Sequence, residues 1–593
     1  MKSDRRYRLL DLLFLDIIFT ILLFVVMWIA LFRHTPYCLE FKEQISIFLF
    51  GADRIDWYLS NPAVIASIAG DWLTQFYVKG MVGATLSTLL LLAIMGGLVR
   101  FYRLAEPGRP VCQVLFMLPV LLEGLFIPFL NYPVSATVGL AVSVWSACAL
   151  ARFKDSGSCA LVYGLSVPVM FVIAGGHAFT TALLLAFLKR RDGAVPMIGI
   201  AVGLVAMSVC GRLYNLTLLQ SFIWPVCPGY IIPGTFLLLM QSVLIVVVMV
   251  LSPLMTRIGW PRVRLSLLSF LLCITSLLLF RNQDNRALER IVKIGTLAYR
   301  NQWDDVRKMA ASYDDRNMYS DYYWNLCNAR EGQLADGLLA VPWDRVSDGL
   351  FLSTGKGDPV FSMMYFTDAL LEMGDVSQAT DCALLAQTIM PGHYSTRMLR
   401  RLAEISVVTG DYPVAAKYLD ILSRTRNHKA WANEMLECIS EDNIPDQYLV
   451  WRSRTAGNDR FHHQGDMRSS LAIIASESPY NIIAIDYLLC SYLIDKKVNT
   501  FVSLYDRYYL GSLDRLTEVP ELYQEALLMN VNSRESLVET VEKYHLSQKV
   551  VDKFIGLMQA RSRSDNPNVL TEESAGTYWN YVMAVRFNNG NRE

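Results

Sequence analysis

The sequence predicts an all-α protein in two parts: a polytopic membrane domain over residues 1–280 and a water-soluble helical-repeat domain over 281–593. Three observations predict this. Apolar runs of bilayer length fill the chain up to about residue 280 and are absent after it. Mean hydropathy is +0.31, high for a 593-residue soluble protein. Two glycine-centred helix pairs recur in the polar half, their glycines 36 residues apart.

The formal charge of zero hides an asymmetry. Residues 1–280 hold 20 Lys/Arg against 12 Asp/Glu, and residues 281–593 hold 34 against 42. A basic membrane half is expected from cytoplasmic loops. A mildly acidic soluble half argues against nucleic acid as a partner. The 11 cysteines show no CxxC and no zinc spacing, so neither a metal nor a cofactor is expected. Cys38 and Cys227 fall in two loops assigned to one side, which leaves both a disulfide and two free thiols open.

A spanning helix needs roughly 20 apolar residues. Nine segments are candidates: 12–32, 79–99, 111–130, 133–151, 158–174, 176–188, 195–212, 231–256 and 264–280. The first is too long in its apolar core for a cleaved signal peptide. The pair 158–174 and 176–188 is the weakest and contributes two crossings or none. Fifteen basic residues fall in alternate loops, among them Arg5, Arg103, Arg152, Lys189 and Arg262; the intervening loops hold five, namely Arg33, Lys42, Arg54, Lys79 and Arg212. The N-terminus is therefore expected in the cytoplasm. An odd number of spans then puts the C-terminal domain outside, in the periplasm of a bacterium with two membranes.

The first outer loop, 33–75, reads as two amphipathic helices lying on the membrane surface, with Phe41, Ile45, Phe48 and Leu49 on one and Val64, Ile68, Trp72 and Leu73 on the other. Pro62 after Asn61 suits a helix start. Asp53, Asp56 and Asp71 belong to this loop. Their bland reading is a solvated polar face. Glu123, between Leu122 and Gly124 in the third segment, is costly at mid-bilayer and points to a cavity or to a partner on another helix. His177, beside Gly175 and Gly176 at a membrane turn, is a second intramembrane polar candidate. Arg212 ends the seventh segment, where a long cation snorkels to the interface or binds a ligand.

In the polar half, Gly374-Asp375 is followed by Ala379, Ala383, Ala386 and Pro391, and Gly410-Asp411-Tyr412 by Ala415, Leu419 and Leu422. Each glycine marks a tight turn, and the small residues let two helices pack closely. The spacing resembles the tetratricopeptide repeat, whose period is 34. Met363 and Thr367 stand where that family has a large aromatic and a glycine. Weaker copies surround Trp303, Gly332 and Lys496, so the resemblance implies an α-solenoid of about five to eight helix pairs with a concave surface for protein or peptide binding. Tyr319, Tyr322, Tyr323 and Trp324, and Tyr505, Tyr508 and Tyr509, read as core before groove; His462-His463 reads as a loop pair. No phosphate loop, GxSxG or HExxH is present.

The stretches Gly70-Asp71-Trp72-Leu73-Thr74-Gln75-Phe76-Tyr77, Gly175-Gly176-His177 and Tyr523-Gln524-Glu525-Ala526-Leu527 resemble an uncharacterised family of multi-pass membrane proteins from Bacteroidota with a helical-repeat C-terminus. That resemblance implies no activity. The layout also resembles membrane glycosyltransferases that use polyprenyl-phosphate sugars: an inside N-terminus, a long first outer loop with an acid, and appended repeats. This second resemblance implies a general base or a divalent-metal ligand among Asp53, Asp56 and Asp71, with polyprenyl phosphate in an outer cavity. Departures from it are fewer spans and no adjacent acidic pair. The expectation is a bacterial inner-membrane protein, in contact with lipid, that presents a periplasmic repeat domain to a partner in envelope biogenesis. The alternatives are a lipid-linked sugar transferase and a small transporter with Glu123 as its proton site.

Overall fold

The computed structural model describes residues 2–109, 111–130, 132–153, 156–226, 234–258, 262–281, 283–312, 317–352, 359–456, 466–510, 519–563 and 574–584. All regular structure among the described residues is helical. The chain forms two compact units. The first comprises residues 1–293 with two short pieces, 390–397 and 421–431; the second holds 294–389, 398–420 and 432–593.

The first unit contains α1 (Lys2–His34), α2 (Pro36–Gln44), α3 (Ala52–Leu59), α4 (Val64–Thr74), α5 (Gly80–Ala105), α6 (Gln113–Phe126), α7 (Val134–Leu150), α8 (Ser156–Ala174), α9 (Ala178–Lys189), α10 (Ala194–Leu213), α11 (Leu218–Ile223), α12 (Gly234–Ile258), α13 (Arg262–Phe280) and the start of α14 (Gln283–Tyr299). By length and composition, four stretches among the described residues are long and apolar enough to cross a membrane: Gly80–Ala105, Cys159–Lys189, Ala194–Leu213 and Leu237–Leu254. Thr20–His34 and Pro36–Gln44, bent by 73° at their break, make a fifth if taken as one span. The expected nine are thus reduced to four or five. The segments 111–130 and 133–151 fall short because prolines bound them. Pro128 follows α6 and Pro133 precedes α7, leaving helices of 14 and 17 residues. Those are about 21 and 25 Å long against a hydrocarbon core of about 30 Å. The segments 158–174 and 176–188 form one apolar stretch, broken by a short 3-10 turn at Gly175–His177.

Hydrogen bonds define two ends of this unit. At one end, Gly80 N donates to Glu40 Oε1 (2.9 Å), Ala63 N to the Phe171 carbonyl (3.2 Å) and Gly176 N to the Trp224 carbonyl (2.8 Å). At the other, Glu106 pairs with Arg109 (3.2 Å), Arg190 and Arg191 (3.3 Å). The basic residues after α5 and after α9 therefore share an end, as the charge pattern predicts.

The loop 33–75 departs from its predicted form. Helix α2 stops at Gln44, so Phe48 and Leu49 lie outside it, and the acids Asp53 and Asp56 sit on a helix of their own, α3. Helix α4 begins at Val64, close to the start that Pro62 marks, but it does not simply lie on a surface. Its small residues Ala66, Ser67, Gly70 and Thr74 are buried against α7 and α8. A Cβ on Gly70 would meet Ser135 Cα at 2.5 Å, so only glycine permits this approach. Aromatic and charged residues marked the loop as interfacial; the small-residue face decided its packing.

The second unit continues α14 and contains α15 (Trp303–Ala311), α16 (Met318–Arg330), α17 (Leu334–Gly337), α18 (Val346–Leu350), α19 (Pro359–Met373), α20 (Val376–Ile389), most of α21 (Thr396–Thr409), of α22 (Tyr412–Ser423) and of α23 (Lys429–Ser440), then α24 (Asp446–Arg454), α25 (Met467–Glu477), α26 (Ile482–Ile494), α27 (Val498–Leu504), α28 (Glu521–Leu528), α29 (Arg534–Tyr544), α30 (Gln548–Arg563) and α31 (Tyr578–Ala584). Gly374 (φ +84°) and Gly410 (φ +80°) stand at the turns between α19 and α20 and between α21 and α22, a left-handed conformation that glycine adopts without a Cβ clash. Ala379, Ala383 and Ala386 are buried, as are Ala415, Leu419 and Leu422. Glu372 ties α19 to two other helices through Arg330 and Arg454, the latter at 2.6 Å. Tyr319, Tyr322, Tyr323, Tyr505 and Tyr509 are all core residues.

Candidate functional site

Three loop helices and the α6–α7 turn bring the predicted acid Asp71 together with other charges in the first unit. Asp71, on α4, lines a cavity of about 90 Å³. Other wall residues are Lys42 on α2, Arg54 and Trp57 on α3, Leu130 and Ser135 near the α6–α7 turn, and Trp224. Arg54 Nη2 donates to Asp71 Oδ2 at 3.1 Å, and the Tyr58 hydroxyl donates to the same oxygen at 2.7 Å. Tyr58 sits four residues after Arg54, one helical turn on, so α3 presents both donors together. The guanidinium lies over Trp57, 4.1 Å from its ring centroid. Arg54 also donates to the Gly392 and Ile47 carbonyls, both at 3.3 Å. Burial pushes the Asp71 carboxyl up, while Arg54 and Tyr58 pull it down.

Lys42 is 4% exposed, and its ammonium donates to the Phe129 carbonyl (3.0 Å) and to the Tyr132 carbonyl. The Tyr132 hydroxyl donates to Glu123 Oε1 at 2.8 Å, and the Thr137 hydroxyl donates to the same oxygen at 2.8 Å. Glu123 is thus fully buried and held by α7 and the turn before it. It has a partner on another helix, Thr137 on α7.

The remaining predicted residues do not join this cluster. Asp56 is exposed on α3. The side chain of Asp53 lies outside the described residues, as do Cys227 and His462-His463. Cys38 is buried with a free thiol. His177 is fully buried in the turn between α8 and α9, a packing position. Arg212 is exposed at the end of α10. The sequence reading counted Lys42 and Arg54 only as loop charges. Their signal was faint: each stands next to an acid in the sequence, Glu43 and Asp53, while Arg54 reaches forward 17 positions to Asp71.

The donor set does not fit the divalent metal that the glycosyltransferase resemblance implies. Asp71 Oδ2 already accepts from a guanidinium and a phenol, and among the described residues no three His, Cys, Asp or Glu gather to hold an ion. The cavity instead has two buried cations and one carboxylate in its wall. In the second unit, a groove of about 1410 Å³ is lined by Asp336, Glu521, Glu525, Lys543, Lys549 and Lys553 among others. Burial pushes the Glu525 carboxyl up to about 7.

No curated protein and no solved structure matches the chain. Residues 12–584 match a family described as a family of unknown function, DUF6057, across both compact units, and the chain belongs to that family.

Proposed function

We propose that this protein is anchored in a bacterial inner membrane and presents its C-terminal helices on the face opposite its N-terminus, where they bind a protein or peptide partner in envelope biogenesis. One observation supports the sidedness most strongly. Glu289, just after α13, accepts hydrogen bonds from Tyr37 N (2.7 Å) and Cys38 N (2.9 Å), just after α1. Residue 289 is thereby held beside the junction of α1 and α2. If α1 crosses and its basic N-terminus stays cytoplasmic, this junction lies in the periplasm, which is the reading proposed.

The helix pairs about Gly374 and Gly410 support a tetratricopeptide-like solenoid as the binding part. The groove beside α28 and α30 exceeds the roughly 300–1,000 Å³ usual for a small ligand, which suits a peptide. A photo-crosslinking amino acid at Lys549, which is exposed in that groove, tests this reading in living cells. A discrete protein adduct is expected there and not at Arg534, away from the groove wall. Equal labelling at both sites contradicts partner binding.

One observation favours the transferase alternative: Asp71 lines a cavity. Asp71→Asn separates the two readings. A transferase loses activity in the cell, and a deletion strain is not complemented; a partner-binding protein complements it.

A further inference from the structure

We propose that the cavity bounded by Lys42, Arg54 and Asp71 binds the phosphate group of an anionic ligand. Both cations are almost wholly buried, Lys42 at 4% and Arg54 at 6% exposure, yet both line open space. Buried charge is costly unless it is paired. Among the described residues Asp71 is the only carboxylate in the wall. Glu123 faces Lys42 from behind the turn but binds the Tyr132 and Thr137 hydroxyls.

The cations have donors to spare. Arg54 Nε is buried with no hydrogen-bond partner among the described residues. Its two carbonyl contacts, each 3.3 Å, lie at the long end of the normal range. The Lys42 ammonium has three donors and meets two carbonyls. Trp57 stacks on the guanidinium and fixes its plane, which leaves the fork oriented rather than free to snorkel. A fork plus a point charge is the pairing that suits a phosphate.

The volume, about 90 Å³, admits one such group and excludes a sugar ring beside it. The rest of the wall is mostly apolar, with Ile45, Leu130, Val134 and Trp224, and the hydroxyl residues Ser46, Ser67, Thr74 and Ser135 also line it. That chemistry fits a phosphate at the end of a lipid, and it also accepts free phosphate. The assignment rests on the cavity alone and stands or falls apart from the partner-binding proposal.

The test uses the full chain in detergent, titrated with short-chain phosphatidic acid, short-chain phosphatidylcholine and inorganic phosphate. Phosphatidic acid is expected to bind and to slow amide exchange in α3 and α4. Arg54→Lys keeps the charge and loses the fork, and Lys42→Gln loses the charge; each is expected to weaken binding about tenfold. Asp71→Asn removes a wall carboxylate and is expected to tighten it. Equal binding of inorganic phosphate makes free phosphate the ligand; binding of the lipid alone makes it a headgroup site. No binding to the unaltered protein, or binding with unchanged exchange in α3 and α4, overturns the proposal. So does wild-type affinity in both Arg54→Lys and Lys42→Gln. A variant that fails size exclusion is set aside, because the exchange measurement decides without it.

Discussion

Glu289 Oε2 accepts a hydrogen bond from the backbone N–H of Cys38 at 2.9 Å, across 251 positions of sequence. Its other oxygen takes the N–H of Tyr37 at 2.7 Å. Pro36 opens α2 and has no N–H, so Tyr37 and Cys38 offer the first free donors of that helix. A carboxylate there acts as an N-cap supplied from elsewhere in the chain, favoured by the helix dipole. Glu289→Ala is expected to lower stability by about 1–2 kcal/mol, and Glu289→Gln by less, since one amide oxygen still accepts. Thermal unfolding in detergent reads both.

The pair Arg54–Asp71 is expected to behave as a coupled unit. Arg54→Ala or Asp71→Asn alone leaves a buried group short of its partner and costs about 1–3 kcal/mol. The double variant is expected to lose less than the sum. Strict additivity in a double-mutant cycle would mean that the contact at 3.1 Å contributes nothing.

Glu123 is expected to tolerate its amide better than its removal. Glu123→Gln keeps an oxygen for the Tyr132 and Thr137 hydroxyls. Glu123→Ala strands both in an apolar bundle, at about 1–3 kcal/mol for each unsatisfied group. Similar losses in stability for the two variants contradict the hydrogen-bonding role. Complementation by Glu123→Gln removes the proton-site reading.

Asp486 gives the second unit a pH dependence. Burial pushes its carboxyl up to about 7, although the Tyr523 hydroxyl donates to it at 2.8 Å. An unfolded Asp titrates near pH 3.9. The folded state holds its proton more tightly, so this group's contribution is complete below about pH 4 and is lost as pH rises to about 7. Asp486→Asn is expected to flatten the fall in melting temperature between pH 5 and pH 8. An unchanged slope would show that Asp486 ionises without penalty.

The helical character of the chain was legible because apolar periodicity and turn glycines are local signals. Gly374 and Gly410 mark their turns through backbone conformation alone, and the structure has a helix on each side of both. Span number was less legible. Hydropathy windows do not register how Pro128 and Pro133 shorten the helices they flank, nor that Gly175–His177 forms only a brief 3-10 turn. At the candidate site, Asp71 could be read as a loop acid and Glu123 as a buried one. Their partners could not. Arg54 and Lys42 resemble ordinary loop cations until the fold brings them to Asp71 and to the turn at Tyr132. Nor does Glu289, in a polar helix after the last apolar run, announce that it caps a helix some 250 residues earlier.

The sidedness of residue 289 is the claim on which the proposed function turns, and a topology reporter measures it directly. Alkaline phosphatase, active only outside the cytoplasm, and a cytoplasm-dependent fluorescent protein are each fused after Arg290 and at the C-terminus. Phosphatase activity without fluorescence at both points is the expected result, because Glu289 is bound beside the end of α1 and the proposed function puts that end in the periplasm. Fluorescence without phosphatase activity at both points would contradict the account and place the C-terminal helices with cytoplasmic partners.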